Sequence, residues 1–305
     1  KPVLIILEDL HWFDEDSKII LSKILNNLNG FPLFFIASSR YKDDGTKPVI
    51  PLKGDVSWDD LELKPLNTEE TKIIAEDIMN FKISDEINSF IFERCQGNPF
   101  FIEQFCSYLL ENQLIEFNGD CLIFREKTSE IPEGITNIII SRIDRLSAKV
   151  KALLHTASIL GLEFDIKIIS NMLKGTDVEN ILHSGQKEML WHPITKLKYI
   201  FQHAILRETA YQMQLRKRLI ELHKLAAESM VSVYKNFPES YGDIAYHFEQ
   251  AEMNTLAKKY YKEAFEFCKS NFRNEAAKKF GEKHLNLSDD TEEKSRILFN
   301  LGTLF

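Results

Sequence analysis

The sequence lacks any apolar run approaching the roughly 20 residues that a helix needs to cross a bilayer. Its longest apolar runs, Val3–Leu7 and Leu33–Ala37, have the length of buried strands. It also lacks a signal peptide, and its first residue is Lys1 rather than methionine. Together with 44% apolar and 28% charged residues, these absences predict a soluble cytoplasmic protein, with no membrane partner, whose chain starts inside a longer polypeptide.

Cysteine is scarce, and its spacing excludes two common uses of the residue. None of the four cysteines belongs to a CxxC pair, and no histidine spacing completes a zinc site. We therefore expect free thiols in a reducing compartment. The cysteines are Cys95, Cys106, Cys121 and Cys268.

An excess of positive charge is also missing. The formal net charge is −8, which argues against a nucleic-acid partner because binding phosphates requires a basic surface. The basic segment Leu215–Lys224 is interpreted as a solvated helix face. A DNA-binding winged helix over residues 131–200 is an alternative that this acidic balance disfavours.

Residues 1–66 show an alternation of strand and helix patterns. Val3–Leu7 and Leu33–Ala37 are predicted strands of a parallel sheet, buried on both faces, with an amphipathic helix between them. Residues 42–60 are rich in Asp, Gly, Lys and Pro, which is typical of a loop. Leu61–Leu63 is predicted as a further short strand.

From Asn67 onward the pattern is helical. Over residues 67–127 the helices are interrupted at Gly97-Asn98-Pro99, and a hairpin is predicted within Ile115–Phe124. Residues 128–235 combine short helices, a strand at Tyr199–Phe201 and a long helical stretch from residue 206 to 234, which indicates a winged-helix-like domain. Residues 236–305 alternate small and aromatic residues as stacked helical hairpins do. The predicted fold class is mainly α with an N-terminal α/β piece.

Two adjacent acids, Glu8 and Asp9, follow the first predicted strand. Ligands bind outside the carboxyl ends of parallel strands, where one carboxylate can hold Mg²⁺ and its neighbour can polarise an attacking water. The alternative is that the two acids only end a strand and cap a helix.

The string Glu8-Asp9-x-His11-Trp12-x-Asp14 resembles the Walker B region of STAND-class, AAA-like P-loop ATPases. Such regions occur beside cyclase domains, protein kinases and LuxR-type regulators. Further blocks resemble the family in the same order. They are the sensor 1 strand ending at Arg40, the lid entry at residues 61–70, the GxP element at Gly97–Glu103, and the linker blocks at residues 131–146 and 201–223.

The resemblance implies a partial P-loop NTPase sheet (1–66), a helical lid (67–127), a winged-helix-like linker domain (128–235) and the start of TPR-like repeats (236–305). It implies ATP and Mg²⁺ as cofactors, with Glu8 and Asp9 as metal-binding and catalytic residues. Arg40 would contact the γ-phosphate, and Gly97 and Pro99 the nucleotide. Expected partners are ATP or ADP, proteins bound by the repeats, an effector domain in the same polypeptide, and further copies of the chain.

The sequence departs from the family pattern in two places. No GxxxxGK[ST] motif occurs, so the phosphate-binding loop is expected upstream of Lys1. The acids run Glu-Asp, whereas Asp-Glu or Asp-Asp is commoner, which leaves hydrolysis open. A nucleotide-independent scaffold therefore remains the alternative function. Arg40 can also be interpreted as a solvated loop cation, and His203 and His223 as core or interface histidines.

Overall fold

The computed structural model describes residues 2–8, 10, 13, 15–27, 31–40, 59–125, 134–235, 237–288 and 291–302. Most of these residues are helical, which confirms the mainly α prediction. The chain forms two compact units, Lys1–Lys64 and Pro65–Phe305. None of the described helices is both long and apolar enough to cross a membrane. The finer division at residues 127/128 and 235/236 stays a prediction.

The first unit is a β-α-β arrangement, as predicted. Strands β1 (Val3–Leu7) and β2 (Leu33–Ala37) pair in parallel, and helix α1 (Glu15–Asn26) connects them. Leu10, Leu21 and Leu25 form a small buried cluster, and Leu7 and Phe35 of the strands pack against it.

Burial of these strands differs from the prediction. Leu4, Ile6, Phe34 and Ile36 are each 47–65% exposed, so one face of the strand pair lacks cover from the described residues. The other face packs against α1, because successive side chains of a strand point to opposite faces. The expectation of burial on both faces is wrong for this part of the chain.

Two other predictions fall near the end of the first unit. The strand predicted at Leu61–Leu63 is absent: these residues have no regular secondary structure. Leu61 and Leu63 are 85% and 87% exposed, so no packing partner supports an extended pair. Most of the loop predicted over residues 42–60 lies outside the described residues.

The second unit begins with three helices, α2 (Thr68–Met79), α3 (Asp85–Cys95) and α4 (Pro99–Glu111). Asn67 and Glu70 form a capping box at the start of α2, and Ser84 and Asn98 cap the next two helices. The predicted hairpin consists of β3 (Ile115–Phe117) and β4 (Leu122–Phe124).

A group of helices with a three-stranded sheet follows. The antiparallel strand order is β5-β7-β6, with the helices before and between the strands. This arrangement is the winged-helix-like part of the predicted fold class, although β5 and β6 were not predicted. Four aromatic side chains, Phe164, Trp191, Tyr199 and Phe201, join its core. The elements are α5 (Ile135–Arg145), α6 (Ala148–Ser158), β5 (Glu163–Asp165), α7 (Ile166–Met172), α8 (Val178–Lys187), β6 (Trp191–Pro193) and β7 (Lys198–Phe201).

The remaining described chain is helical. The long helical stretch predicted from residue 206 to 234 consists of two helices, which residues 213–215 separate. The helices are α9 (Ala204–Gln212), α10 (Arg216–Val233), α11 (Tyr241–Gln250), α12 (Asn254–Ser270), α13 (Asn274–Asn286) and α14 (Thr291–Gly302), with a 3₁₀ turn at Pro238–Ser240.

Small residues allow α11, α12 and α13 to pack closely, as the repeat pattern predicts. Ala245, Ala257 and Ala264 are at most 1% exposed. A Cβ added to Gly242 of α11 would lie 2.3 Å from ring carbon Cζ of Phe280 in α13, so this contact requires glycine. Stacked helical hairpins depend on such close approaches.

Two buried histidines join α10 to α11. His223 Nδ1 and His247 Nδ1 are 2.8 Å apart, and the Tyr211 hydroxyl lies 3.2 Å from His223 Nε2. Because burial disfavours the charged ring, the pKa of His223 is lowered to about 4 and that of His247 to about 3. Arg207 lowers the pKa of His223 further. His223 is therefore a satisfied interface histidine, as predicted.

We expect acid to destabilise this junction. The unfolded chain binds protons on both histidines below about pH 6.5, whereas the folded chain keeps them neutral down to about pH 4. The free energy of unfolding should thus fall as pH falls through this window, by roughly 1.4 kcal/mol per pH unit for each histidine. Urea unfolding at pH 7 and pH 5 measures the change. An H247Q variant should show a smaller pH dependence, and an equal dependence would contradict the assignment.

Candidate functional site

Glu8 and Arg40 lie at the same edge of the first unit's strand pair. The strands run parallel and in register, with Leu7 opposite Ala37, so their carboxyl ends meet there. The Ser38 amide donates to the Leu7 carbonyl, and the Leu10 amide donates to the Ser38 carbonyl, both at 2.9 Å. These hydrogen bonds hold together the two backbone segments that carry Glu8 and Arg40.

The chemistry of this edge fits a metal–phosphate ligand. Glu8 and Arg40 are both exposed, so carboxylate oxygens and a guanidinium are accessible at one end of the sheet. Mg²⁺ prefers hard oxygen ligands, and guanidinium groups bind phosphate oxygens through charge-assisted hydrogen bonds. The other predicted metal ligand, Asp9, lies outside the described residues, as do His11, Trp12 and Asp14.

Gly97 and Pro99 lie in one turn of the second unit. Gly97 has a positive φ of 71°, and a Cβ at this position would lie 2.1 Å from the Leu66 carbonyl oxygen. The Leu66 amide donates to the Gly97 carbonyl at 2.9 Å. Glycine is therefore required here for backbone docking, whatever its role towards a nucleotide.

Pro99 occupies the first position of α4. The Asn98 side-chain oxygen accepts from the amides of Phe100 at 3.0 Å and Phe101 at 3.4 Å, which caps the helix. Proline at the first position costs no hydrogen bond, because that amide has no partner within a helix. The Pro99 ring is exposed and accessible to a ligand.

The next residue connects this turn to the winged-helix-like part. The Phe100 ring packs on the imidazole of His203, with 3.6 Å between ring centroids. Partial burial lowers the pKa of His203, although Glu103 acts in the opposite direction. This contact joins the Pro99 turn to the start of α9.

Two arginines of α5 provide further connections. Arg142 donates to the side-chain oxygen of Gln104 in α4 and to the backbone carbonyl of Glu188 after α8. Arg145 donates to Glu111 at 3.3 Å and to Asn112 at the end of α4. Helix α5 is therefore bonded to the middle and the end of α4 and to the residue that follows α8.

Arg142 belongs to the block at residues 131–146 that resembles the family, but the sequence does not indicate which residues it contacts. The Arg142 contacts join residues 38 and 46 positions apart, and the packing of Phe100 on His203 spans more than 100 positions. No local pattern encodes such pairs. For the contact of Gly97 with Leu66, the sequence gives one indication, because a glycine before Asn-Pro indicates an unusual backbone conformation.

Comparisons with known proteins give distant relatives. No protein-family model matches the chain. It is 23% identical over 234 residues to an uncharacterized protein, R02095, of Rhizobium meliloti (strain 1021), a match covering 73% of this chain and 22% of that protein. It is 24% identical over 189 residues to the peroxide stress-activated histidine kinase mak3 of Schizosaccharomyces pombe (strain 972), covering 58% of this chain and 8% of the kinase.

A solved structure also shows similarity. It is a signal transduction ATPase with numerous domains (STAND) that has a tetratricopeptide repeat sensor, from Pyrococcus horikoshii. The comparison gives a TM-score of 0.46 at 14% identity and covers 99% of this chain and 59% of that one. The chain thus spans only part of each of these proteins.

Replacing Gly97 by alanine tests the docking of the Pro99 turn. Alanine is strained at this φ and would overlap the Leu66 backbone, so we expect the free energy of unfolding to drop by about 2–4 kcal/mol. Chemical denaturation measures the change. The matched control is G134A, where the added Cβ meets nothing within 4 Å and should cost about 1 kcal/mol or less. Equal effects of the two substitutions would refute the docking role.

Proposed function

We propose that the chain is part of an ATP-binding regulatory switch in a multidomain signal-transduction protein. The observation that carries the proposal is the placement of Glu8 and Arg40 at the carboxyl edge of a parallel strand pair. The name of the fission-yeast relative, a peroxide stress-activated histidine kinase, supports a signalling context.

The proposed roles follow from the chemistry of each group. Glu8, with Asp9, would hold Mg²⁺ through its hard carboxylate oxygens, and Asp9 would polarise an attacking water. Arg40 would bind the γ-phosphate through its guanidinium. In the second unit, the exposed Pro99 ring would contact a nucleotide base, and the Gly97 turn would hold Pro99 in place. Bound Mg²⁺-ATP supplies the charge that makes these contacts sensitive to the state of the γ-phosphate.

A change in the position of α4 would be transmitted within the second unit. The contact of Phe100 with His203 and the hydrogen bond of Arg142 with Gln104 join the Pro99 helix to the winged-helix-like part. A nucleotide that shifts α4 would either break these two contacts or move the winged-helix-like part together with α4, because packed elements move as rigid bodies. The effector attached in the same polypeptide, protein partners of the repeats, self-assembly and a cytoplasmic location belong to this proposal.

A nucleotide-independent scaffold is the second candidate. Close packing of α11–α13 supports a repeat surface for protein partners, and a groove of about 580 Å³ lies beside Tyr241, Lys259 and Phe267. The Glu-Asp order also weakens the case for hydrolysis. In this candidate, partner binding would survive removal of both carboxylates.

A DNA-reading role for residues 131–200 has little support. In winged-helix proteins, a helix such as α8 enters the major groove and its flanks meet phosphates. The exposed side of α8 carries Glu179 and Asn180 beside Lys187, which is not a basic surface. Such a surface lacks the cations that DNA phosphates require.

The test uses a polypeptide that contains this chain and the phosphate-binding loop expected upstream of it. Titration calorimetry should show Mg²⁺-dependent ATP binding. Replacing Glu8 by Gln and Asp9 by Asn together should remove most of the Mg²⁺ dependence and weaken Mg²⁺-ATP binding by about tenfold or more, through lost charge-assisted contacts.

E163Q serves as the control, because this exposed acid lies in the second unit and has no proposed role. It should bind as the unaltered protein does. ATP affinity that is absent, or unchanged by the double substitution, would favour the scaffold.

A further inference from the structure

A cleft lies where helices α4, α5, α6 and α8 meet, within the second unit. Its volume is about 440 Å³, within the range of roughly 300–1,000 Å³ that small-molecule sites occupy. The polar side chains that line it are Arg142, Arg145, Ser147, Ser184, Glu111 and Glu188. The nucleotide proposal uses none of these groups as ligands.

Two guanidinium groups dominate one wall. Arg142 and Arg145 are three residues apart on α5, so both project from the same side of the helix. In the contacts described above, each arginine uses two of the five N–H donors that a guanidinium carries. Planar donors arranged in this way match the paired oxygens of phosphate groups.

A second wall adds partial positive charge. Ser147 caps α6, an 11-residue helix, and its side chain accepts from the Val150 amide at 3.4 Å. Ser147 and Val150, at the start of α6, both line the cleft. Helix starts favour anions, which adds to the attraction of the arginines.

The carboxylates of Glu111 and Glu188 do not form strong ion pairs with the two arginines of the cleft. Glu111 contacts Arg145 at 3.3 Å, and the side chains are 54% and 42% exposed. Ion pairs between such exposed groups contribute little, typically about 0–1 kcal/mol. Glu188 meets Arg142 through its backbone carbonyl rather than its carboxylate. A dianion can therefore displace Glu111 at small cost.

We propose that this cleft binds a small molecule carrying a phosphate or diphosphate group, held by Arg142 and Arg145 at the start of α6. Arg142 also bonds to Gln104 of α4, so occupancy of the cleft would alter the contact between α4 and α5. This site is separate from the nucleotide role assigned to Glu8 and Arg40, and either assignment can fail without the other.

The test is titration of the chain with inorganic pyrophosphate at fixed ionic strength without Mg²⁺, followed by ³¹P NMR and calorimetry. We expect saturable one-to-one binding. R142M with R145M should weaken it by about tenfold or more, because charge-assisted hydrogen bonds are lost. R216M is the matched control, since Arg216 is an exposed arginine away from the cleft, and it should leave affinity unchanged.

Two further variants keep the result decisive. E111Q removes the carboxylate that competes with the ligand for Arg145, so it should tighten pyrophosphate binding about two- to fivefold. This result does not depend on whether the arginine variants fold. R40M should keep the part of the binding that R142M with R145M removes, which separates this cleft from the nucleotide role. Absence of saturable binding, unaltered or weaker affinity in E111Q, or loss of binding in R40M alone would each overturn the proposal.

Discussion

Parallel pairing of β1 with β2 brings the ends of two strands to one edge, and the functional assignments of the first unit depend on this pairing. With Leu7 opposite Ala37, Glu8 and Ser38 follow at equivalent positions, and Arg40 stands two residues further on. An antiparallel pair would place these strand ends at opposite edges. The proposed metal–phosphate site rests on the presence of a carboxylate and a guanidinium at this one edge.

Long-range contacts join α4 to other segments of the second unit. The Gly97 backbone docks on Leu66, so the start of α4 is held by the chain that leads into α2. Phe100 and Arg142 then tie α4 to the winged-helix-like part. Pro99 lies between these two anchors, so the contacts of α4 join its turn to α5 and to the start of α9.

Local patterns predicted much of this fold. Apolar runs and caps gave β1, β2, the α4 start at Asn98-Pro99 and the hairpin within Ile115–Phe124, because these elements depend on neighbouring residues. Small and aromatic residues indicated the packed helices near the end of the chain. The prediction of a strand at Leu61–Leu63 was wrong, because an apolar alternation forms a strand only where another strand pairs with it.

The candidate site was predictable only in part. Glu8, Arg40 and Pro99 could be proposed from the sequence because each lies next to a strand end or helix start that local patterns predict. The contacts of Arg142, Arg145 and His203 could not, because they join segments far apart in sequence whose proximity depends on tertiary packing. Burial of β1 and β2 was overestimated for a related reason: apolar composition shows that a face can be covered, and tertiary structure decides whether it is.

The most direct measurement is paramagnetic relaxation by Mn²⁺-ATP in a polypeptide that contains this chain together with a phosphate-binding loop, with labelled Leu and Ala methyl groups. If Glu8 binds the metal, the methyl signals of Leu7 and Ala37 broaden on addition of Mn²⁺-ATP, while that of Leu33, at the opposite end of β2, broadens less. Broadening that spares Leu7 and Ala37 would contradict a metal–nucleotide site at the carboxyl edge of this strand pair.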